Sequence, residues 1–279
     1  MAAPKVYLSP AMHRANPCVY PRPDGQQCYE ALENNEYIDI LEPILNRCGI
    51  ETKRGYRRTP MNGDNGNAIM KQNVRESNAW GADVHYVSHT NGSADGKGNS
   101  RGCFPMYYTY SKNGKKLGEI MVKYRKQIYP RTVKLVASSK WYELRVPKAV
   151  SFYEEHVFHD NMEDATWFHT HMQEIAESAA KGLCEWFGIP YVEAEPEPTD
   201  NVTDVFTAVF PQLSKGSKGD KVRVLQELLM GRGYDLSTYG ADGDFGGATR
   251  GAVMAFQVRN HLGADGIVGK NTWRKLLRE

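Results

Sequence analysis

Residues 242–253 read DGDFGGATRGAV, and residues 265–276 read DGIVGKNTWRKL. Laid over one another, Asp242 falls on Asp265, Gly243 on Gly266, Phe245 on Val268, Gly246 on Gly269, Thr249 on Thr272 and Val253 on Leu276. Asp-Gly favours a tight turn, because glycine tolerates positive φ and aspartate bonds to its own backbone. The apolar residue that follows anchors the turn to a core. The second glycine permits close backbone approach, and the threonine is placed to cap the helix that follows. Each copy therefore reads as a turn plus a helix. Upstream, Gly219-Asp220 leads into Val222, Leu225, Leu228 and Leu229 at helical spacing, which predicts a third helix. Residues 211–279 are thus expected to form a small all-α, three-helix domain.

The stretch Gly216–Leu277 resembles the peptidoglycan-binding domain type 1 family. The resemblance is carried by Gly216 and Gly219, Val224-Leu225-Gln226, Leu229, Gly233-Tyr234, Asp242 to Gly246, Thr249, Ala252-Val253, Phe256-Gln257, Asp265 to Gly269, and Thr272-Trp273. It implies a module that holds bacterial cell wall, with peptidoglycan as partner.

Working back along the chain, Glu193 to Thr199 reads EAEPEPT. Alternating proline and acid disfavours helix and sheet, so residues 193–210 are expected to be an extended linker. The 279 residues carry a formal net charge of only +2, which does not indicate nucleic acid. No stretch is long and apolar enough to insert in a membrane. The opening MAAPKVYLSPAMH has no charged leader followed by an apolar block, so no secretory signal is visible. The expectation is synthesis in the cytoplasm and release by a holin or by cell lysis. The five cysteines (Cys18, Cys28, Cys48, Cys103 and Cys184) are odd in number and scattered, and are expected to be mostly reduced thiols.

Residues 1–192 alternate strand and helix. Strands are predicted at residues 5–8, 83–88, 104–109, 132–137 and 149–153, and helices near 29–48, 68–80, 113–129 and 162–187. That alternation gives an α/β domain, a mixed twisted sheet flanked by helices, with reactive groups beyond the C-terminal ends of the strands. His13 follows the first strand, Glu30 opens the first helix and His89 ends DVHYVSH. Histidine and carboxylate with one open position compose a catalytic zinc site. In isolation, a histidine near a strand end is more often a packed polar residue, and Glu30 more simply a first-turn carboxylate favoured by the helix dipole.

Three segments resemble the zinc-dependent N-acetylmuramoyl-L-alanine amidases of type 3: Ala82–Ser93 (ADVHYVSHTNGS), Cys28–Leu45 (CYEALENNEYIDILEPIL) and Glu154–Phe168 (EEHVFHDNMEDATWF). Where the family often has Gly-His-Gly, this chain has Pro10-Ala-Met-His13-Arg. The resemblance implies that His13, Glu30 and His89 hold Zn²⁺ and that Glu155 is the catalytic acid/base. It also implies that the bond cut joins N-acetylmuramic acid to the L-alanine of the stem peptide. Glu33, one turn after Glu30, competes as ligand. Glu154 competes with Glu155, and because adjacent strand residues face opposite ways only one of them can reach the site. Residues 91–100 are expected to form a mobile rim of the cleft, His85 to be a packed histidine with a place behind the ligands as the alternative, His159 to line the cleft, and His169 and His171 to be surface or packing residues. The reading is a phage or prophage endolysin. The alternatives are a bacterial autolysin of the same activity, a zinc peptidase cutting within the stem peptide, and a wall-binding protein without catalysis.

Overall fold

The computed structural model describes residues 2–12, 16–22, 27–55, 66–194, 209–260 and 262–277. The chain divides into two compact units, described below one at a time.

The first unit is built on a sheet of six strands: β1 (Lys5–Pro10), β2 (Glu51–Arg54), β3 (Val84–Asn91), β4 (Met106–Tyr108), β5 (Val136–Ser138) and β6 (Val150–Phe158), in the order β2-β1-β3-β6-β4-β5. All pairings are parallel except β4 with β6, which makes the sheet mixed. Strands β1, β3 and β6 are central and buried on both faces, as expected of parallel strands covered by helices. One face carries the large core. There Val6, Leu8, Val84, Tyr86 and Phe152 meet Ile38, Leu41 and Leu45 of α1 (Glu30–Arg47), Leu117 and Met121 of α3 (Lys112–Ile128), and Ile175, Ala179 and Leu183 of α6 (Met172–Phe187). Each Val, Leu, Ile, Met or Phe among them contributes roughly 1.5–3 kcal/mol on burial. The other face carries a smaller cluster of Val87, Met106, Leu144 and Tyr153. It is flanked by α2 (Gly66–Trp80), through the Tyr7–Glu76 hydrogen bond, and by the short α4 (Tyr142–Arg145).

Three local expectations change. β2 was not foreseen: ETKR is a polar edge strand with alternating half-buried and exposed residues. The expected helix over 162–187 is two helices, α5 (Met162–Thr170) and α6, broken at His171. The His171 ring stacks on Trp167 and its Nδ1 lies 2.9 Å from the Trp167 carbonyl, drawing on a helix acceptor at the break. Cys18 and Cys28 form a disulfide, so the expectation of mostly reduced thiols fails for this pair; Cys48, Cys103 and Cys184 are free and buried.

The second unit holds α7 (Asp220–Gly231), a 3-10 turn (Ser237–Tyr239), α8 (Gly247–Arg259) and α9 (Lys270–Leu277) around Leu225, Phe245, Val253, Val268 and Trp273. The duplicated sequence has a duplicated structural cause. Gln226 is buried on α7; its Nε2 donates to Asp242 Oδ1 (2.8 Å), the Asp244 carbonyl (3.1 Å) and Thr249 Oγ1 (3.0 Å), and its Oε1 accepts from Gly243 N (2.7 Å). Gln257 on α8 repeats the set, to Asp265 Oδ1 (2.9 Å), the Ile267 carbonyl (2.9 Å), Thr272 Oγ1 (3.1 Å) and Gly266 N (2.9 Å). Each Asp-Gly turn is thus clamped by one glutamine from the preceding helix.

The turn glycines take the left-handed conformation, with φ 78° at Gly243 and 71° at Gly266. Asp242 and Asp265 accept from the backbone two residues on, at 2.9 and 2.8 Å. Two details differ from expectation. Thr249 bonds inward to Gln226, and α8 has Gly246 at its cap position, with no side-chain cap. Gly246 and Gly269 are not sites of close approach, since a Cβ on either would meet nothing within 4 Å. Replacing Gln257 by alanine strands the buried Gly266 N–H and takes a donor from Asp265, Ile267 and Thr272 at once. We expect a loss of about 2–4 kcal/mol, read as a fall of roughly 8–32 °C in the melting of this unit by calorimetry of the whole chain.

Candidate active site

The site is assembled from β3, β6 and the first turn of α1. In the parallel pair, His89 lies directly across from Glu155. Residues of odd number on both strands (His85, Val87, His89; Tyr153, Glu155) share the face opposite the large core. Glu30 starts α1, where the helix dipole favours a carboxylate. Asn16 holds it twice: the Glu30 N–H donates to the Asn16 carbonyl at 3.0 Å, and Asn16 Nδ2 donates to Glu30 Oε2 at 2.7 Å. Glu30 Oε1 lies 2.8 Å from His89 Nδ1 and accepts from Thr90 N at 3.2 Å. Tyr153 stacks on the His89 ring at 4.7 Å, and Trp141 stacks on Tyr153 at 5.7 Å. Beside them opens a cleft of about 270 Å³, lined among others by Met12, Met70, His89, Trp141, Glu143 and Tyr153.

Electrostatics set the site apart. Burial pushes the Glu155 carboxyl up to about 8; His89 opposes that shift and Glu30 reinforces it. Glu155 Oε2 has no hydrogen-bond partner among the described residues. Burial works against a His89 imidazolium, but Glu30, with Glu155 and Glu143 behind it, outweighs burial and holds the ring above its ordinary pKa.

The structure therefore brings Glu30, His89 and Glu155 together. His13 lies outside the described residues. The two competitors point elsewhere. Glu154 faces the large core, where it takes the Tyr86 hydroxyl and pairs with Arg125 Nη2 at 2.7 Å. Glu33 is buried against His169, with Oε1 2.6 Å from Nε2. His156, on the Glu154 face, is held neutral by burial and by Arg125.

Residues 91–100 do not form a loose rim. Ser93 N and Oγ donate to Asp160 at 2.9 and 3.1 Å, and Asn161 Nδ2 donates to the Gly98 carbonyl at 2.6 Å. Gly98, at φ 65°, has no room for a side chain, since a Cβ would lie 2.2 Å from the Asp160 carbonyl oxygen. Asn161 also caps α5, and Asp164 receives the Phe158 and Gly102 amides and the Tyr129 hydroxyl. The Asp-Asn and Glu-Asp steps of Glu154–Phe168 thus build the turn that ends β6.

Glu143 was not foreseen. It is buried at the cleft, accepts from Ser9 Oγ at 2.6 Å and lies 3.1 Å from His85 Nε2. It sits on a four-residue helix with no periodicity to read. A second group was missed as a group: donor atoms of Cys18, Cys28, Glu33 and His169 all lie within 4.8 Å of one another, close enough to hold a metal ion.

Residues 218–276 match the family described as putative peptidoglycan binding domain. A probable N-acetylmuramoyl-L-alanine amidase of Bacillus licheniformis is 42% identical over 64 residues, which is 23% of this chain and 18% of that protein. The chain therefore spans less than a fifth of that relative's length. Among solved structures, an N-acetylmuramoyl-L-alanine amidase from Clostridium difficile 630 superposes with a TM-score of 0.58 at 15% identity, over 67% of this chain and 98% of that one. The catalytic domain of the CD27L endolysin, which targets Clostridia difficile, superposes at 0.52 with 18% identity, over 65% and 97%. The class is thus defined by shape: an amidase-type catalytic fold, followed by a helical unit of the peptidoglycan-binding kind. More particularly, the fold is that of the N-acetylmuramoyl-L-alanine amidases and of an endolysin catalytic domain.

Proposed function

We propose that this chain is a peptidoglycan hydrolase, a zinc-dependent N-acetylmuramoyl-L-alanine amidase, whose helical unit retains it on the wall. The observation that carries this reading is the convergence of Glu30, His89 and Glu155 on the cleft face of a fold shared with such amidases. The donor set fits zinc. Glu30 Oε1 and His89 Nδ1 are 2.8 Å apart. Two ligands of one tetrahedral zinc, each about 2.0–2.1 Å from it, sit roughly 3.4 Å apart, so a small outward shift of both side chains makes the place. His13 is proposed as the third ligand from its position after β1.

When bound, zinc would polarise the scissile carbonyl and acidify water. The rest falls to the protein. Asn16 and Thr90 fix Glu30, and Tyr153 fixes the plane of His89. Glu155, with its carboxyl pushed up to about 8, is suited to accept the proton of the attacking water and deliver it to the departing nitrogen of L-alanine near neutral pH. The cleft walls of Trp141 and Tyr153 offer flat apolar surface for a sugar or peptide. We further propose residues 1–192 as the catalytic part, 193–210 as linker and 211–279 as wall anchor, in an endolysin of phage or prophage origin.

Digestion of purified wall tests this. New L-alanine N-termini with intact muramic acid, abolished by a chelator and restored by Zn²⁺, are expected. Cleavage at an internal stem-peptide bond would replace the amidase by a peptidase, and no cleavage at all would leave only a wall-binding protein.

A further inference from the structure

We propose that Cys18, Cys28, Glu33 and His169 form a second metal site, distinct from Glu30 and His89, which takes a zinc-like cation when the cysteines are reduced. The Cys18–Cys28 disulfide is then the metal-free alternative of the same site.

The argument starts from the backbone. Pro17 and Tyr29 form an antiparallel bridge, and Cys18 N donates to the Cys28 carbonyl at 3.1 Å, so the two cysteines are held side by side whether or not they are bonded. Glu33 comes from the first turn of α1 and His169 from the end of α5. His169 Nε2 points at both other partners, 2.6 Å from Glu33 Oε1 and 3.5 Å from Cys28 Sγ. Tyr20 stacks on the imidazole at 4.1 Å and fixes its plane. Two sulfurs, one imidazole and one carboxylate at a common point are the donors of a closed tetrahedral zinc site.

The second observation is Glu33 itself. It is 1% exposed, and its Oε2 has no hydrogen-bond donor among the described residues. Buried carboxylates are otherwise paired or bound to metal. Here burial raises the carboxyl's pKa, and His169 only partly offsets it. A cation among these four donors would complete the environment that His169 supplies in part.

The exchange balances. A thiol reductant supplies two electrons and two protons to the disulfide and is itself oxidised to a disulfide. A divalent cation then displaces the two thiol protons and binds both thiolates. Either state fastens the Cys18–Cys28 loop to the start of α1, two residues before Glu30.

Cobalt titration of the full chain is the test, because Co²⁺ bound by thiolate gives intense charge-transfer absorption in the near ultraviolet. Glu30 and His89 carry no sulfur, so the signal is independent of the amidase reading. The reduced chain should show the absorption, the oxidised chain should not, and Cys18→Ser should lose it. Glu33→Gln, which keeps the shape, should weaken Co²⁺ binding in this band at least tenfold. Circular dichroism confirms that each variant is folded. A folded, reduced chain without the band, a band that survives Cys18→Ser, or unchanged binding in Glu33→Gln would overturn the proposal.

Discussion

Glu155→Gln should lower hydrolysis of purified wall by about 10²–10⁴-fold, the usual contribution of a positioned acid/base, while zinc content and wall retention stay unchanged. The substitution is nearly isosteric. It removes the one function that the site asks of this side chain, a carboxyl that gains and loses a proton near neutrality because burial lifts it to about 8. Glu155 Oε2 accepts no hydrogen bond among the described residues, so little local structure depends on the charge. His89→Ala is a useful contrast: it should remove zinc as well as activity, since His89 is proposed as a ligand and not as the acid/base. The decisive comparison is Glu154→Gln. Glu154 lies on the other face of β6, with Tyr86 and Arg125. Its loss should appear as lowered stability, with turnover per folded molecule retained. A fully active Glu155→Gln enzyme would remove Glu155 from the chemistry. Loss of zinc in that variant would make it a ligand instead.

What could be read in advance was what local rules decide. The Asp-Gly turns were legible because positive φ at Gly243 and Gly266 and the aspartate's bond two residues on are properties of four neighbouring residues. The glutamine clamp was not, because Gln226 and Asp242 are brought together only when α7 packs on the turn. Strands β3 and β6 were foreseen, although β6 carries Glu154, Glu155 and His156 in a row and extends to Phe158. Alternation resolves the row once the faces are known: Glu155 joins His89, while Glu154 and His156 join Arg125. Glu143 and the Cys18–Cys28 pair were opaque for one reason. Their partners include residues from distant parts of the chain: Ser9 and His85 for Glu143, and His169 near the cysteines. His171 shows a limit of periodicity: the apolar stripe runs through it, and the break comes from a side chain reaching Trp167.

Arg125→Met should destabilise the first unit by about 3–5 kcal/mol, because it leaves a buried carboxylate without its counter-charge. Arg125 is 1% exposed on α3 and binds Glu154 through Nη2 at 2.7 Å; its Nη1 lies 3.3 Å from His156 Nδ1 and 3.9 Å from Cys103 Sγ. Among the described residues, Glu154 would keep the Tyr86 hydroxyl and, at 3.8 Å, His156 Nδ1. The pair is not itself a large source of stability, since desolvation of both ions offsets most of their attraction. The damage comes from breaking it one-sidedly. At about 2–4 °C per kcal/mol for a domain of this size, the first unit's melting should fall by roughly 6–20 °C. Calorimetry of the full chain separates this from the helical unit, whose transition should stay in place, just as Gln257→Ala should move that transition and leave this one. The double variant Arg125→Met, Glu154→Gln then decides the cause. With no charge left to strand, it should regain more than half of the loss. If it is as unstable as the single variant, Arg125 matters for its packing between α3 and β6 and not for the charge it neutralises. That outcome would also weaken the proposed roles on β6, because the contrast between a structural Glu154 and a reactive Glu155 rests on Arg125 pairing with the first of them on the face away from the cleft.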